Sequence, residues 1–330
     1  MRIKLLLSLA SAGLFLVSNA VAGVILSENF SNNPAADGWQ TFGNSNLFTW
    51  DSTNHDLQVT WDSTQSNSYF YHPLGVTLTS NDDFNLSFDL LLNDANTNAD
   101  GTNALQLSIG FFNLAEAEST NYIVGTGFNR SNVVEFDFYP GVSGTLPSLD
   151  ATLIDTNGYF YFAYNDVPWS FGTLYHISIH HPSGGSTLTG EVLLNGQLYA
   201  PLPGSGDYGG IYNEGTGDFI LDTIGISSFS DVDSAGYGYG PSSITAHGIV
   251  QNIVVKERPI SNISGCFTNN IWQVQFWSIT GWNYTLEKSA DLQTWAPLAP
   301  MLSGANGQLI LQDTNALQQS QFYRVVASPQ

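Results

Sequence analysis

From Gly23 onward the chain carries no helical period of useful length, and this constrains its fold more than any other feature. Apolar and polar residues alternate instead, in short runs separated by clusters of Gly, Asn, Asp and Ser. "FNLSFDLLL" sets Phe84, Leu86, Phe88 and Leu90 against Asn85, Ser87 and Asp89. "NALQLSIGFF" sets Leu105, Leu107, Ile109 and Phe111 against Gln106 and Ser108, and "GYFYFAYN", "LYHISIHH", "GEVLLNGQLY", "FILDTIGISSF" and "GIVQNIVVKE" follow. Many antiparallel strands with decorated loops predict an all-β sandwich or jelly roll. Asn195-Gly196 is the strongest hairpin signal, because both residues accept the positive φ of a two-residue turn.

The pattern breaks near Arg258-Pro259, where shorter runs begin: "IWQVQFWS", "NYTLEKS", "QLILQD" and "FYRVVAS". The expected organisation is a jelly-roll domain over residues 23–258 and a small β-sandwich over 259–330, with Trp272, Trp282, Trp295 and Tyr323 as its large aromatics. Residues 1–22 read as an export signal. Arg2 and Lys4 precede an apolar run, and Ala20-Val21-Ala22 has the small-x-small form of a cleavage site. The expected protein is therefore exported, to the cell surface, the medium or the periplasm. No later segment is long and apolar enough to insert into a bilayer. The single cysteine, Cys266, cannot form an internal bridge.

Charge decides which partners are open. Beyond residue 22, five Lys or Arg face 28 Asp or Glu, a formal charge of −23, and Arg130 is the only Lys or Arg between Gly23 and Val255. Tracking phosphates needs several cationic side chains at the interface. Nucleic acid is excluded, and anionic lipid and acidic polysaccharide are disfavoured for the same Coulombic reason. Neutral ligands and divalent cations remain.

The stretch "NVVEFDFYPG" is one expected strand. Val134, Phe136 and Phe138 point one way; Val133, Glu135, Asp137 and Tyr139 point the other. The second face is open to four readings: a catalytic cleft, a metal site, a sugar-binding surface, or the solvated side of a sheet.

"ENFSNNPAADGW", "VVEFDFYPG" and "AHGIVQNIVV", in that order, resemble the concanavalin A-like lectin and glucanase jelly roll, and more closely a group of exported bacterial proteins of that type. The tail, "YTLEKSADLQTW" followed by "FYRVVAS", resembles a short C-terminal β-module of exported bacterial proteins. The likeness spans residues 24–258 for the first and about 263–327 for the second.

Glucanases of the laminarinase type carry E-x-D-x-E on one strand. Glu135 matches the nucleophile and Asp137 the helper, but Tyr139 occupies the acid/base position. A phenol titrating at about 10 is a poor proton donor to a leaving sugar, so the resemblance argues against hydrolysis. Legume lectins hold metal on a similar E-x-D strand. The loop that follows here offers no carboxylate until Asp150, short of the roughly six to eight oxygens that calcium takes. The resemblance also implies a structural calcium between the first and last strands, with Glu28 and Gln251 at the matching positions.

The expected function is non-catalytic binding of a neutral glycan by Glu135, Asp137, Tyr139, Tyr159, Tyr161, His176 and His180, with Trp169 as a rim platform. The runner-up is a structural or adhesive surface protein, whose tail docks a second protein; laminarinase-type hydrolysis comes third. "DANTNADG" spaces Asp94, Asn96, Asn98 and Asp100 as a calcium loop would, but lacks the terminal acid and reads as a hairpin tip. His176, His180 and His181 do not share one strand face, so they read as surface or cleft groups rather than a zinc site. The Gly-rich stretches carrying Tyr208, Tyr212, Tyr237 and Tyr239 read as loops first and ligand contacts second.

Overall fold

The computed structural model describes residues 23–97, 107–118, 131–140, 146–161, 165–183, 187–202, 217–228, 244–269, 271–305, 307–316 and 322–329. They fall into two compact units, Val24–Glu257 and Arg258–Gln330, the latter joined by Gly23. The export signal and the Gly-rich stretches with Tyr208, Tyr212, Tyr237 and Tyr239 lie outside the described residues.

In chain order the first strands are β1 (Gly23–Glu28), β2 (Gln40–Phe42), β3 (Phe48–Asp51), β4 (Asp56–Asp62), β5 (Ser68–Thr79), β6 (Asp83–Thr97) and β7 (Leu107–Phe112). Then come β8 (Val133–Tyr139), β9 (Ser148–Ile154), β10 (Phe160–Tyr161), β11 (Asn165–Asp166) and β12 (Leu174–His181). The hairpin β13 (Thr189–Leu194) and β14 (Gln197–Leu202) precedes β15 (Ile220–Ser228) and β16 (Ile244–Arg258).

They form two eight-stranded sheets. One runs β14-β13-β12-β6-β16-β4-β3, with β1 on β16; the other runs β10-β9-β8-β7-β15-β5-β2, with β11 on β9. This is the expected jelly-roll β-sandwich. Asn195 and Gly196 turn the β13–β14 hairpin at φ 53° and 74°, the left-handed geometry that favours these two residues.

Alternation builds the core. Phe84, Leu86, Phe88, Leu90 and Leu92 of β6 point inward from the first sheet, as do Tyr175, Ile177 and Ile179 of β12. They meet Val134, Phe136 and Phe138 of β8 and Leu107, Ile109 and Phe111 of β7 from the second. Phe88 and Phe136 meet edge to face, centroids 5.7 Å apart. Each such side chain contributes about 1.5–3 kcal/mol by leaving water.

The second sheet is also covered on its other face. Tyr69, Tyr71, Phe112, Ala117, Val133 and Ile154 form a separate buried cluster there. Strands β7, β8 and β9 are consequently buried almost residue by residue, whereas β12 alternates between buried and partly exposed positions.

The second unit contains β17 (Ile260–Thr268), β18 (Ile271–Ser278), β19 (Trp282–Ser289), β20 (Ala296–Ser303), β21 (Gly307–Asp313) and β22 (Phe322–Pro329). Two three-stranded sheets, β17-β18-β21 and β20-β19-β22, make a small sandwich. Its core holds Trp272, Val274, Phe276, Trp282, Tyr284, Leu286 and Leu311. The Tyr284 hydroxyl donates to the Pro259 carbonyl at 2.7 Å and accepts from the Ile279 amide at 2.8 Å.

Candidate functional site

On β8, Glu135, Asp137 and Tyr139 point away from the main core, as the alternation requires, but they do not face water. Glu135 is 3% exposed and Asp137 0%. The reading of this face as the solvated side of a sheet is therefore overturned; only Tyr139 at the strand end is half-buried. A carboxylate at an outward position looks solvated in sequence because nothing local reveals what covers the sheet.

Strand register brings the neighbours together. Asp150 on β9 lies opposite Asp137, and Thr152 lies opposite Glu135. On the other side, Ser108 and Gly110 of β7 oppose Asp137 and Glu135. A Cβ at Gly110 would sit 2.3 Å from the Glu135 Cα, so this close strand approach requires glycine. Ser227 of β15 continues the row beside Ser108, and Tyr69 of β5 follows beside Ser227.

A single transverse row thus reads Asp150, Asp137, Ser108, Ser227, Tyr69, and every member is at most 2% exposed. From Asp137 to Tyr69 it crosses three strand spacings, roughly 14 Å at about 4.8 Å each.

The Thr152 hydroxyl bridges the two aspartates, 2.6 Å from Asp137 Oδ2 and 3.2 Å from Asp150 Oδ2. Burial raises the Asp137 carboxyl well above its ordinary range, reinforced by the charges of Glu135 and Asp150; the Thr152 hydrogen bond opposes this. A carboxyl in that setting holds its proton to higher pH than a solvated one, and while protonated it donates as well as accepts. Burial also raises the Tyr69 phenol, with smaller contributions from Tyr71 and Glu118. Three atoms on this row, Asp137 Oδ1, Ser108 Oγ and Tyr69 Oη, make no hydrogen bond among the described residues. Each such buried polar group costs about 1–3 kcal/mol when unsatisfied.

Other expected site residues lie elsewhere. His176 and His180 are on the outer face of the first sheet, paired with Asp89 at 2.7 Å and Asp83 at 3.0 Å. The whole core separates them from Glu135, because Ile177 and Ile179 between them point inward. His181 is buried rather than at the surface, stacked on Phe84 with its Nδ1 2.9 Å from the Asp82 carbonyl.

Tyr161 is 6% exposed and belongs to the main core, since it pairs with inward-facing Leu153. Trp169 is partly buried, with its ring packed on Tyr175 at 4.0 Å and Phe138 at 5.3 Å. Tyr159 is 45% exposed, in the turn whose backbone caps Asp155. Asp150, Thr152, Ser108 and Tyr69 were missed as site residues. The signal for Asp150 was present, as the first carboxylate after Tyr139, but its register against Asp137 was not.

Glu28 is buried, and both oxygens are engaged: Oε1 accepts from the Phe30 amide at 2.5 Å and Oε2 from the Trp39 indole at 2.9 Å. Gln251 lies on β16, the strand that β1 pairs with. Among the described residues no group of three or more His, Cys, Asp or Glu side chains is arranged to hold a metal ion. Of the "DANTNADG" residues, Asp94 contacts His247 at 2.9 Å, while Asn98 and Asp100 lie outside the described residues.

No protein-family model matches the chain, and no curated protein matches it in sequence. Among solved structures, a protein of unknown function with a galectin-like fold from Bacillus subtilis is similar at 10% identity, covering 71% of this chain and 96% of its own, with a TM-score of 0.42. Lectin UEA-II, complexed with galactose, is similar at 13% identity over 70% of this chain and 98% of its own, TM-score 0.44. An endo-1,3-beta-glucanase from Streptomyces sioyaensis is similar at 10% identity over 73% of this chain and 97% of its own, TM-score 0.40. These superpositions are loose, and the sandwich described above rests on its own strand order.

Proposed function

We propose that the protein is an exported, non-catalytic binder of neutral carbohydrate, and that the buried row from Asp150 to Tyr69 is its recognition site, which a ligand reaches when the sheet's outer side opens. The observation that carries this reading is the set of three unsatisfied buried atoms, Asp137 Oδ1, Ser108 Oγ and Tyr69 Oη, on one line across the sheet. A ligand with successive hydroxyl groups supplies a donor and an acceptor at each position, which a row of hydroxyls and a carboxyl requires. The scarcity of Lys and Arg rules against an anionic ligand. Tyr139, two residues along β8 from Asp137 and on the same face, is half-buried.

The test is an array of neutral and acidic glycans probed with the mature chain, then titration of Tyr69→Phe and Ser108→Ala on the best ligand. Each variant is expected to weaken binding about tenfold, which is about 1.4 kcal/mol. Absence of binding to every neutral glycan, or unchanged affinity in both variants, sinks the reading.

Glycoside hydrolysis is the second reading, and one observation favours it. Asp150 supplies, from the adjacent strand, a third carboxyl group beside Glu135 and Asp137. A structural calcium at Glu28 and Gln251 rests on the sequence alone. Melting with calcium and with chelator tests it, and an unchanged melting temperature removes the ion.

A further inference from the structure

We propose that the second unit carries a separate binding face for a neutral, flat polysaccharide, on the outer side of β17-β18-β21 and centred on Trp277. The tryptophans of this unit differ in one respect. Trp272 stacks on Tyr323 at 5.0 Å, Trp282 is 1% exposed, and the Arg324 guanidinium lies 4.3 Å over the Trp295 ring. Trp277 remains 40% exposed.

Its neighbours follow from the register. Val274, Phe276 and Ser278 of β18 point inward and are buried, so Gln273, Gln275 and Trp277 point outward. Gln308, Ile310 and Gln312 of β21 lie opposite Trp277, Gln275 and Gln273. Ile310 is 42% exposed and diagonal to Trp277, a separation that an indole spans. Gln312 Nε2 donates to Gln273 Oε1 at 3.1 Å, which fixes the orientation of both amides.

The face combines an open aromatic ring with carboxamides, each offering donors and an acceptor. None of the outward residues of β18 or β21 is charged, in a chain with 28 acidic residues. The face thus offers an anionic partner no cation, and the net negative charge of the chain disfavours such a partner as a whole. An apolar platform flanked by carboxamides matches a ligand with apolar ring faces and equatorial hydroxyls, which is the chemistry of a neutral polysaccharide surface. The face is distinct from the buried row of the first unit and does not depend on it.

The experiment is depletion of the full mature chain from solution by insoluble cellulose and chitin, with polygalacturonate as the anionic control. Wild type is expected to bind a neutral polysaccharide and not polygalacturonate. Trp277→Ala is expected to weaken that binding about tenfold, and Gln275→Glu to weaken it by placing a charge on the face. Met301→Ala, an exposed apolar truncation on the other sheet, is expected to leave it unchanged. Failure of wild type to bind either neutral polysaccharide overturns the proposal, as does full binding by Trp277→Ala. Concentration-dependent self-association abolished by Trp277→Ala, without polysaccharide binding, assigns the face to a second copy and also overturns it. Soluble-glycan binding weakened in Tyr69→Phe but unchanged in Trp277→Ala separates this face from the buried row.

Discussion

Asp137 and Asp150 oppose each other across β8 and β9, with the Thr152 hydroxyl 2.6 Å from one and 3.2 Å from the other. Two buried carboxyl groups in that relationship do not both ionise at modest cost. A carboxyl held protonated to higher pH at Asp137 makes the stability of the first unit depend on pH.

Stability should fall as pH rises from about 4. Asp137 has a folded-state pKa well above the unfolded one, so between the two values the folded chain binds more protons than the unfolded chain. Stability from that proton is fully present below the unfolded value and is lost as pH rises through the folded one. Asp82, raised mainly by burial, acts in the same direction. Thermal melting from acid to neutral pH should show the decline, and Asp137→Asn should flatten it. Equal slopes in both proteins would remove Asp137 from the account.

Tyr69→Phe and Ser108→Ala should stabilise the unliganded protein by about 1 kcal/mol each, because each deletes a buried, unsatisfied hydroxyl. Tyr69→Phe keeps the ring that stacks on Phe42 at 4.7 Å. Denaturant unfolding measures the change. Loss of stability in both variants would show that these hydroxyls serve packing rather than recognition.

Glu28→Ala should destabilise the first unit by about 3 kcal/mol, since it leaves the Phe30 amide and the buried Trp39 indole without their acceptor. Glu28→Gln, which keeps one oxygen, should cost less. A loss under about 0.5 kcal/mol for Glu28→Ala, typical of a surface change, would contradict the anchoring role.

No turnover of neutral β-glucans is expected from the wild type, because Tyr139 stands where the glucanase pattern has its acid and Asp137 is 0% exposed. Reducing-sugar release by wild type that disappears in Glu135→Gln would establish the hydrolase instead. Weak activity created by Tyr139→Glu would mark β8 as a former catalytic strand.

Residues 259–330 should fold when expressed alone, on the core around Trp282, Tyr284 and Phe276. A separate melting transition in the isolated piece is the expected result; an unfolded piece would show that it needs the rest of the chain.

The first sheet was readable from sequence because its outer face is at least partly wet. In β12 the buried Tyr175, Ile177 and Ile179 alternate with the partly exposed His176, Ser178 and His180, as the pattern "LYHISIHH" demands. The second sheet defeated the same logic. Glu135 and Asp137 have the identities of solvated residues, yet the sheet is covered on both sides. Alternation reports which side of a strand a residue takes, not how deep that side lies. The row from Asp150 to Tyr69 was hidden for a second reason: its members come from five strands, and their register is set by long-range pairing. His176 and His180 were placed beside Glu135 only because nothing in a strand's own residues says which sheet it joins.

The double cover of β7, β8 and β9 has a consequence for time rather than for energy. Their backbone amides meet water only if one of two layers parts, whereas the amides of β12 have partly exposed side chains along one flank. Hydrogen exchange should therefore be slowest in β7–β9 and should approach the rate of global unfolding there. If the row binds the proposed glycan, the ligand must enter through an opening shorter-lived than the fold itself, and slow association and slow release are the expected signature.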